Sequence, residues 1–329
     1  MSGTVYGHTF SLRLLLLVCV FLCAAIPSSV QAQLGMGVGQ LVLDTSPSFP
    51  LPNADVSVRL EDYSVNAVGA EVFWFIDGVE QTEVKNARSI TLKAGAVGEE
   101  TVVRAILRKQ DGSDVAASLT IAPTVVDLVL EADTYVPSFY KGRSLPSRNS
   151  TLSAVALVHD GKSVASNAYT YRWTLGEDVL FAGSVRGKSR VSFEMPLFSK
   201  DLVVEVLNES GSTVGRRSMK IEAVQPELHF YEWSPLRGLY QREASNPFAL
   251  IGEETVIHGE PYFVTHAPSR ETTDFMWRID GMAVSPNAEA AQAFGLTKEG
   301  LGNGQISLRL VTKDRVPAVL EKSFTVIAN

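Results

Sequence analysis

Imidazoles and carboxylates are where catalysis or metal binding would have to begin. Beyond the N-terminal segment the histidines are His159, His229, His258 and His266. His258-Gly259-Glu260 followed by His266 is the densest metal-like grouping, since imidazole and carboxylate suit zinc. Its spacing matches no recognised ligand pattern, and Pro261 interrupts it, so these read as loop and strand-edge residues. Glu99-Glu100 and Glu253-Glu254 are adjacent carboxylates of the type acid–base hydrolysis employs. Adjacency in a loop or strand sets such side chains apart, so they read as solvated charge. Asp127, Glu131 and Asp133 gather oxygen ligands near one expected joint, as calcium requires, without an Asp-x-Asp-x-Asp-Gly loop. There is no Gly-x-Ser-x-Gly elbow, phosphate loop or His-Glu-x-x-His helix. No catalytic residue, metal or cofactor is expected.

Two aromatic clusters carry more. One is Tyr135-Val136-Pro137-Ser138-Phe139-Tyr140-Lys141-Gly142-Arg143; the other is Phe230-Tyr231-Glu232-Trp233, with Tyr240 beyond. Exposed rings stack on sugars or anchor a protein partner, and Lys141 and Arg143 add cations. The candidate partner-binding residues are therefore Tyr135, Phe139, Tyr140, Lys141, Arg143, Trp233 and Tyr240. The competing expectation is that these rings pack a joint between domains or cover the end of one. The stretch 132–150 has no strand pattern, and long loops of this kind often carry function. Glycan binding predicts that Trp233 and Tyr140 are exposed and roughly coplanar. Protein binding predicts an uncharged strand edge or an apolar loop patch.

The elements that hold these residues follow from composition and period. The chain has 329 residues, of which 45% are hydrophobic and 20% charged, an ordinary globular balance of two or three domains' length. Its net charge of −7, with no basic cluster, excludes nucleic acid as a natural partner. Both cysteines, Cys19 and Cys23, lie in the N-terminal apolar segment. The remainder is free of thiols, which excludes disulfide scaffolds, Cys-ligated zinc and thiol catalysis.

That segment reads as an export signal. Arg13 precedes the apolar run Leu14–Ile26, which is shorter than the roughly 20 residues of a membrane span. Pro27-Ser28-Ser29 ends it, and Val30-Gln31-Ala32 has the small-residue pattern of a peptidase site, so cleavage is expected after Ala32. The alternative is an uncleaved single-pass anchor, the only route by which this reading places the chain in a membrane. Leu22 before Cys23 is too large for a lipidation motif.

The rest of the chain repeats. Phe73-Trp74-Phe75-Ile76-Asp77-Gly78 is echoed by Met276-Trp277-Arg278-Ile279-Asp280-Gly281, with Arg172-Trp173-Thr174-Leu175-Gly176-Glu177 between them. The spacing is roughly 100 residues, about one small domain. Each tryptophan sits in an alternating, half-buried strand: Val72, Trp74 and Ile76 share a face, as do Tyr171, Trp173 and Leu175, and Phe275, Trp277 and Ile279. Trp74, Trp173 and Trp277 are the expected structural core. Asp-Gly suits a tight hairpin turn. Each unit closes on a hairpin, with strand patterns at 101–108 and 118–121, 202–207 and 219–223, and 306–311 and 323–327. Short breaks at Ala122-Pro123-Thr124 and Val224-Gln225-Pro226 divide the chain into residues 34–124, 125–225 and 226–329, packed end to end. Only Asn287–Phe294 has a helical pattern.

About seven short strands per unit around a buried tryptophan predict an all-β chain of three tandem immunoglobulin-like sandwiches. On the Trp-x-Ile-Asp-Gly stretches at Trp74 and Trp277, and the weaker one at Trp173, the chain resembles bacterial Ig-like and PKD-like domains of exported proteins. Those domains also lack the antibody cysteine pair. PKD repeats usually show Trp-x-Phe-Gly-Asp-Gly, which none of the three units does. The resemblance implies a non-enzymatic cell-envelope or surface protein located in the periplasm, at the cell surface or outside the cell. Its modules would act as spacer and protein-binding scaffold, similar to multi-Ig proteins that accompany surface filaments or secretion systems. The partner would be an envelope or surface protein, held through strand edges or the aromatic loops. The alternative is a carbohydrate-binding array whose aromatic loops take glycan.

Overall fold

The computed structural model describes residues 41–62, 69–162, 166–286 and 288–328. The N-terminal apolar segment, its two cysteines and the expected cleavage site lie outside the described residues. Among the described residues, no helix is long and apolar enough to cross a membrane. The fold is all-β, with two short 3₁₀ turns at Thr82–Val84 and Ser166–Ala168.

The first sandwich contains β1 (Leu41–Ser46), β2 (Asp55–Asp62), β3 (Glu71–Ile76), β4 (Val79–Glu80), β5 (Ser89–Lys93), β6 (Thr101–Arg108) and β7 (Asp114–Ile121). Its sheets run β1-β2-β5 and β4-β3-β6-β7. The second repeats this order with β8 (Val125–Ala132), β9 (Thr151–His159), β10 (Thr170–Leu175), β11 (Asp178–Arg186), β12 (Arg190–Glu194), β13 (Lys200–Leu207) and β14 (Thr213–Ile221). Those sheets are β8-β9-β12 and β11-β10-β13-β14. Three strands opposite four, in this order, is the immunoglobulin-like arrangement.

The third sandwich is built up further. It contains β15 (Glu227–Ser234), β16 (Gly238–Glu243), β17 (Phe248–Leu250), β18 (Glu254–Tyr262), β19 (Thr273–Ile279), β20 (Met282–Val284), β21 (Ala293–Thr297), β22 (Gly302–Thr312) and β23 (Val319–Ala328). Its sheets are β16-β15-β18-β21 and β17-β23-β22-β19-β20, with β17 parallel to β23. The chain thus makes an extra hairpin on one sheet and then crosses to the edge of the other. The expected short helix at Asn287–Phe294 is not formed: residues 288–292 are bends and turns, and Ala293 and Phe294 open β21 with both side chains buried. Pairing with β18 and burial in the core override a weak helical pattern.

Each core is centred on its tryptophan, and Trp74, Trp173 and Trp277 are fully buried. A buried indole N–H needs an acceptor. Trp74 donates to Ala87 O (2.9 Å), Trp173 to Lys188 O (2.8 Å) and Trp277 to Ala291 O (3.2 Å). Each carbonyl sits two positions before the strand that follows, β5, β12 or β21.

The hairpin after each tryptophan solves one problem in two ways. Asp77 and Gly78 (φ 50° and 82°), and Asp280 and Gly281 (φ 48° and 82°), hold the two successive positive φ angles of a type I′ turn. The Asp77 carboxylate accepts the Val102 N–H at 2.7 Å, and that of Asp280 accepts the Gln305 N–H at 2.8 Å. Both aspartates therefore tie the turn to the neighbouring strand. The second unit places Gly176 (φ 62°) first in a two-residue turn, where the other two have the tying aspartate.

The two joints differ. At the first, the loop before β6 meets the loop after β9 through Gly98 and Gly161. Tyr169 donates its hydroxyl to the Asp160 carboxylate, bracing that second loop. At the second, the segment between β8 and β9 reaches the third sandwich through Tyr135, Phe139, Tyr140 and Asn149.

Candidate functional site

The outer face of the β16-β15-β18-β21 sheet gathers the chemistry-bearing side chains. Leu228, Phe230 and Ile257 point into the core. Alternation then turns His229, Tyr231 and Trp233 of β15 outward, together with Val256, His258, Glu260 and Tyr262 of β18. Register arranges them in rows: His229 opposite Glu260, Tyr231 opposite His258, and Trp233 opposite Val256 and then Gly295.

The segment between β8 and β9 covers part of this face. It is closed on itself, since Thr134 Oγ1 donates to Leu145 O (2.9 Å) and Ser150 Oγ to Ser147 O (2.7 Å). Tyr135 then forms a β-bridge with the third sandwich. Its N–H donates to Val264 O at 2.7 Å, and its carbonyl accepts the Phe263 N–H at 2.8 Å. Phe263 adopts φ 61° to do so, a left-handed backbone costing a bulky residue roughly 1–3 kcal/mol. Aromatic packing accompanies it. Phe139 meets Tyr231 edge-on at 5.1 Å, and Tyr140 meets Tyr262 at 5.3 Å and Phe263 at 6.1 Å. Asn149 Nδ2 donates to Val316 O at 2.9 Å.

Polar groups under the cover are paired. Tyr135 donates its hydroxyl to Glu260 at 3.2 Å, and Glu260, a buried carboxylate, also faces His258 at 3.5 Å. The Tyr231 and Tyr262 hydroxyls share a hydrogen bond of 2.7 Å. Burial raises the pKa of Tyr135, with the Glu260 charge adding to it. Burial and then the Tyr262 hydrogen bond raise that of Tyr231. At the margin, His229 lies 2.9 Å from Glu227 and 3.0 Å from Glu243, which Lys322 also meets at 2.6 Å. Burial pushes the Glu243 carboxyl up, but hydrogen bonds from Lys322 and His229 outweigh it and leave the pKa lowered.

The uncovered part of the face is a groove of about 550 Å³ bordered by Trp233, Tyr240, Glu232, Glu254, Val256 and Gly295. Trp233 is half-buried and stacks on His258, ring centroids 6.3 Å apart. The Thr255 hydroxyl donates to Glu232 at 3.2 Å. Beyond the groove the loops at this end of the sandwich carry exposed aliphatics: Leu236 (96% exposed), Ile251 (95%) and Leu301 (82%). Ile251 follows Leu250 and Leu301 precedes Gly302, and both of those residues pair with Ala328.

The sequence-derived candidates therefore separate. Tyr135, Phe139 and Tyr140 pack against the third sandwich, Lys141 and Arg143 are exposed, and Trp233 and Tyr240 border the groove. Tyr140 packs edge-on against Tyr262 and Phe263, while Trp233 stacks on His258, so the two rings have separate neighbours. Among the described residues no group of three or more His, Cys, Asp or Glu side chains is placed to hold a metal. His266 turns away from His258 and Glu260 to pair with Asp314 at 3.4 Å, and Asp127 pairs with His159 at 3.7 Å. Sequence reasoning passed over His229, Glu243 and Lys322, which come together from three separate strands. Alternation along β15 was the available signal for His229.

No protein-family model matches the sequence, and comparison with curated proteins finds no match. Solved structures match at low similarity. Fibronectin(III)-like modules of Clostridium thermocellum CbhA are 14% identical over 56% of this chain and 95% of theirs, with a TM-score of 0.28. Three N-terminal domains of the bacteriophage RB49 outer capsid protein Hoc are 11% identical over 89% and 98%, with a TM-score of 0.26. A Bacteroides ovatus protein, SGBP-B, solved with a mixed-linkage heptasaccharide, is 13% identical over 88% and 70%, with a TM-score of 0.22. Likenesses of this order carry no argument about function.

Proposed function

We propose that this chain is an exported, non-enzymatic envelope or surface protein whose Ig-like modules form a spacer ending in a protein-binding surface. The observation that carries this is the covered face at the second joint. A β-bridge, three edge-on ring contacts and a half-buried Tyr135–Glu260 hydrogen bond tie the second and third sandwiches together. A binding protein that must hold its tip at a set distance needs such a joint, whereas domains on free linkers swing. The tip in this reading is the far end of the third sandwich, where Leu236, Ile251 and Leu301 are exposed. Glu253, Glu254 and Glu299, with Arg237 and Lys298, lie in the same loops and strand ends, so the fitting partner is a protein with an apolar patch edged by charges of both signs.

Two measurements on the native protein test the reading. Intact mass of the protein recovered by cell fractionation should begin at Gln33, in the exported fraction. A mass retaining Met1 in the membrane fraction replaces the cleaved form with an anchored stalk, and a cytoplasmic protein sinks the proposal. Photo-crosslinkers at positions 236 and 301 should join one envelope protein that a crosslinker at Leu51 does not. Equal labelling from all three positions counts against the tip.

A further inference from the structure

We infer that the open groove beside Trp233 is a binding site for a neutral, hydroxyl-rich glycan stacked on that ring. This goes beyond the spacer reading and does not depend on it.

The shape of the groove comes first. Trp233, Val256 and Gly295 form one cross-strand row on the outer face. The row sets a broad flat ring beside a short branched side chain and a residue with no side chain. Tyr240, on the hairpin strand, supplies a second aromatic border. Such a slot suits a flat, ring-shaped ligand with one apolar face, and a pyranose has that form.

The polar groups select within that class. Glu254 and Thr297, paired across β18 and β21 on the same outer face as Trp233, supply a carboxylate acceptor and a hydroxyl, while Glu232 and Thr255 border the groove from the other face and are bonded to each other. No Lys or Arg is among the lining residues. An anionic sugar, phosphate or sulfate would meet like charge with no counter-cation, which is unfavourable. A neutral sugar offers hydroxyl donors to the Glu254 carboxylate, and such bonds are about twice as strong as neutral ones.

A peptide fits less well. The groove runs across the face of the sheet, over the two inner strands β15 and β18, whose backbone groups are spent in the ladder, toward the edge strand β21. An extended peptide laid there would leave its own N–H and C=O groups without partners, at a cost for each one buried. A sugar has no such backbone to satisfy. Among the charged alternatives, a cationic ligand would also be attracted by the Glu254 carboxylate, so the test separates it.

The chain offers an internal reporter. Of its four tryptophans, Trp74, Trp173 and Trp277 are fully buried, so acrylamide quenching of the full-length protein reports on Trp233. The probes are hexasaccharides of β-1,4-glucose, α-1,4-glucose and β-1,4-N-acetylglucosamine, and the host's own surface polysaccharide. Polygalacturonate is the anionic control, and an oligolysine the cationic one. The expected result is that at least one neutral glycan protects the quenchable tryptophan. Binding by calorimetry should fall about tenfold or more in Trp233→Ala and severalfold in Glu254→Gln. The unchanged emission of the three buried indoles certifies folding of both variants. Protection by no neutral glycan at about 10 mM, weaker than any useful affinity, overturns the inference. So does protection by oligolysine alone, or calorimetric binding that survives Trp233→Ala.

Discussion

Gly98 and Gly161 face each other across the first joint so closely that a β-carbon on Gly98 would lie 1.9 Å from the Asp160 carbonyl oxygen. A β-carbon on Gly161 would lie 2.4 Å from that of Val97. Both glycines also have left-handed backbone, φ 73° and 75°. Gly98→Ala is therefore expected to push the first two sandwiches apart while leaving their cores intact. Small-angle scattering should show a larger radius of gyration with nearly unchanged melting. A variant with the parent scattering curve would mean that this contact does not set the angle.

The tyrosines of the second joint make it sensitive to alkali. The raised values of Tyr135 and Tyr231 mean that the folded joint favours the neutral hydroxyls. Their contribution is complete below the ordinary tyrosine value of about 10 and is lost as pH climbs from there toward the raised values. Absorbance near 295 nm should show a class of late-ionising tyrosines, and scattering should show the joint opening as they ionise. Tyr135→Phe should shrink that class and destabilise the joint by about 1–3 kcal/mol, because Glu260 loses a buried donor.

In acid the margin of the same face should respond. The lowered value of Glu243 stabilises the fold above the ordinary carboxylate range, and that support is lost as pH falls through the lowered value. Glu243→Gln should remove this component from the acid limb of a stability profile while leaving the neutral fold in place. An acid limb identical to the parent's would show that the contacts with His229 and Lys322 carry no linkage.

Asp77→Ala and Asp280→Ala each delete one carboxylate–amide tie across a hairpin. Each should cost its own unit about 1 kcal/mol, read by urea unfolding. The second sandwich has Gly176 at this place, and its transition should not move.

The repeat was legible because its physics is local. A tryptophan in an alternating strand, followed by Asp-Gly, announces both the buried face and the turn, and each has its counterpart in the structure. Residues whose meaning depends on distant partners were not legible. The aromatic run at Tyr135–Tyr140 was visible as a cluster, but its destination on Tyr231, Tyr262 and Phe263 arises from packing between sandwiches. The extra strands β16 and β17 hide in sequence because Gly238–Glu243 alternates only weakly and Phe248–Leu250 is too short to show a period. At Asn287–Phe294 the apolar spacing suits a helix, but pairing with β18 draws Ala293 and Phe294 into β21 and leaves 288–292 as bends and turns. The groove was half legible: Trp233 and Tyr240 stood out, while Val256 and Gly295 join them through strand register alone.

The inequality of the two joints bears on how the molecule would carry a load. A pull applied to its two ends meets little resistance where the loops around Gly98 and Gly161 touch. It then meets the bridge, the rings and the Tyr135 hydroxyl that bind the Tyr135 segment to its neighbour. The chain would therefore stretch as two links rather than three, giving first behind its leading sandwich. The groove and the tip beyond it would keep their spacing from the middle sandwich until the sheets themselves began to fail.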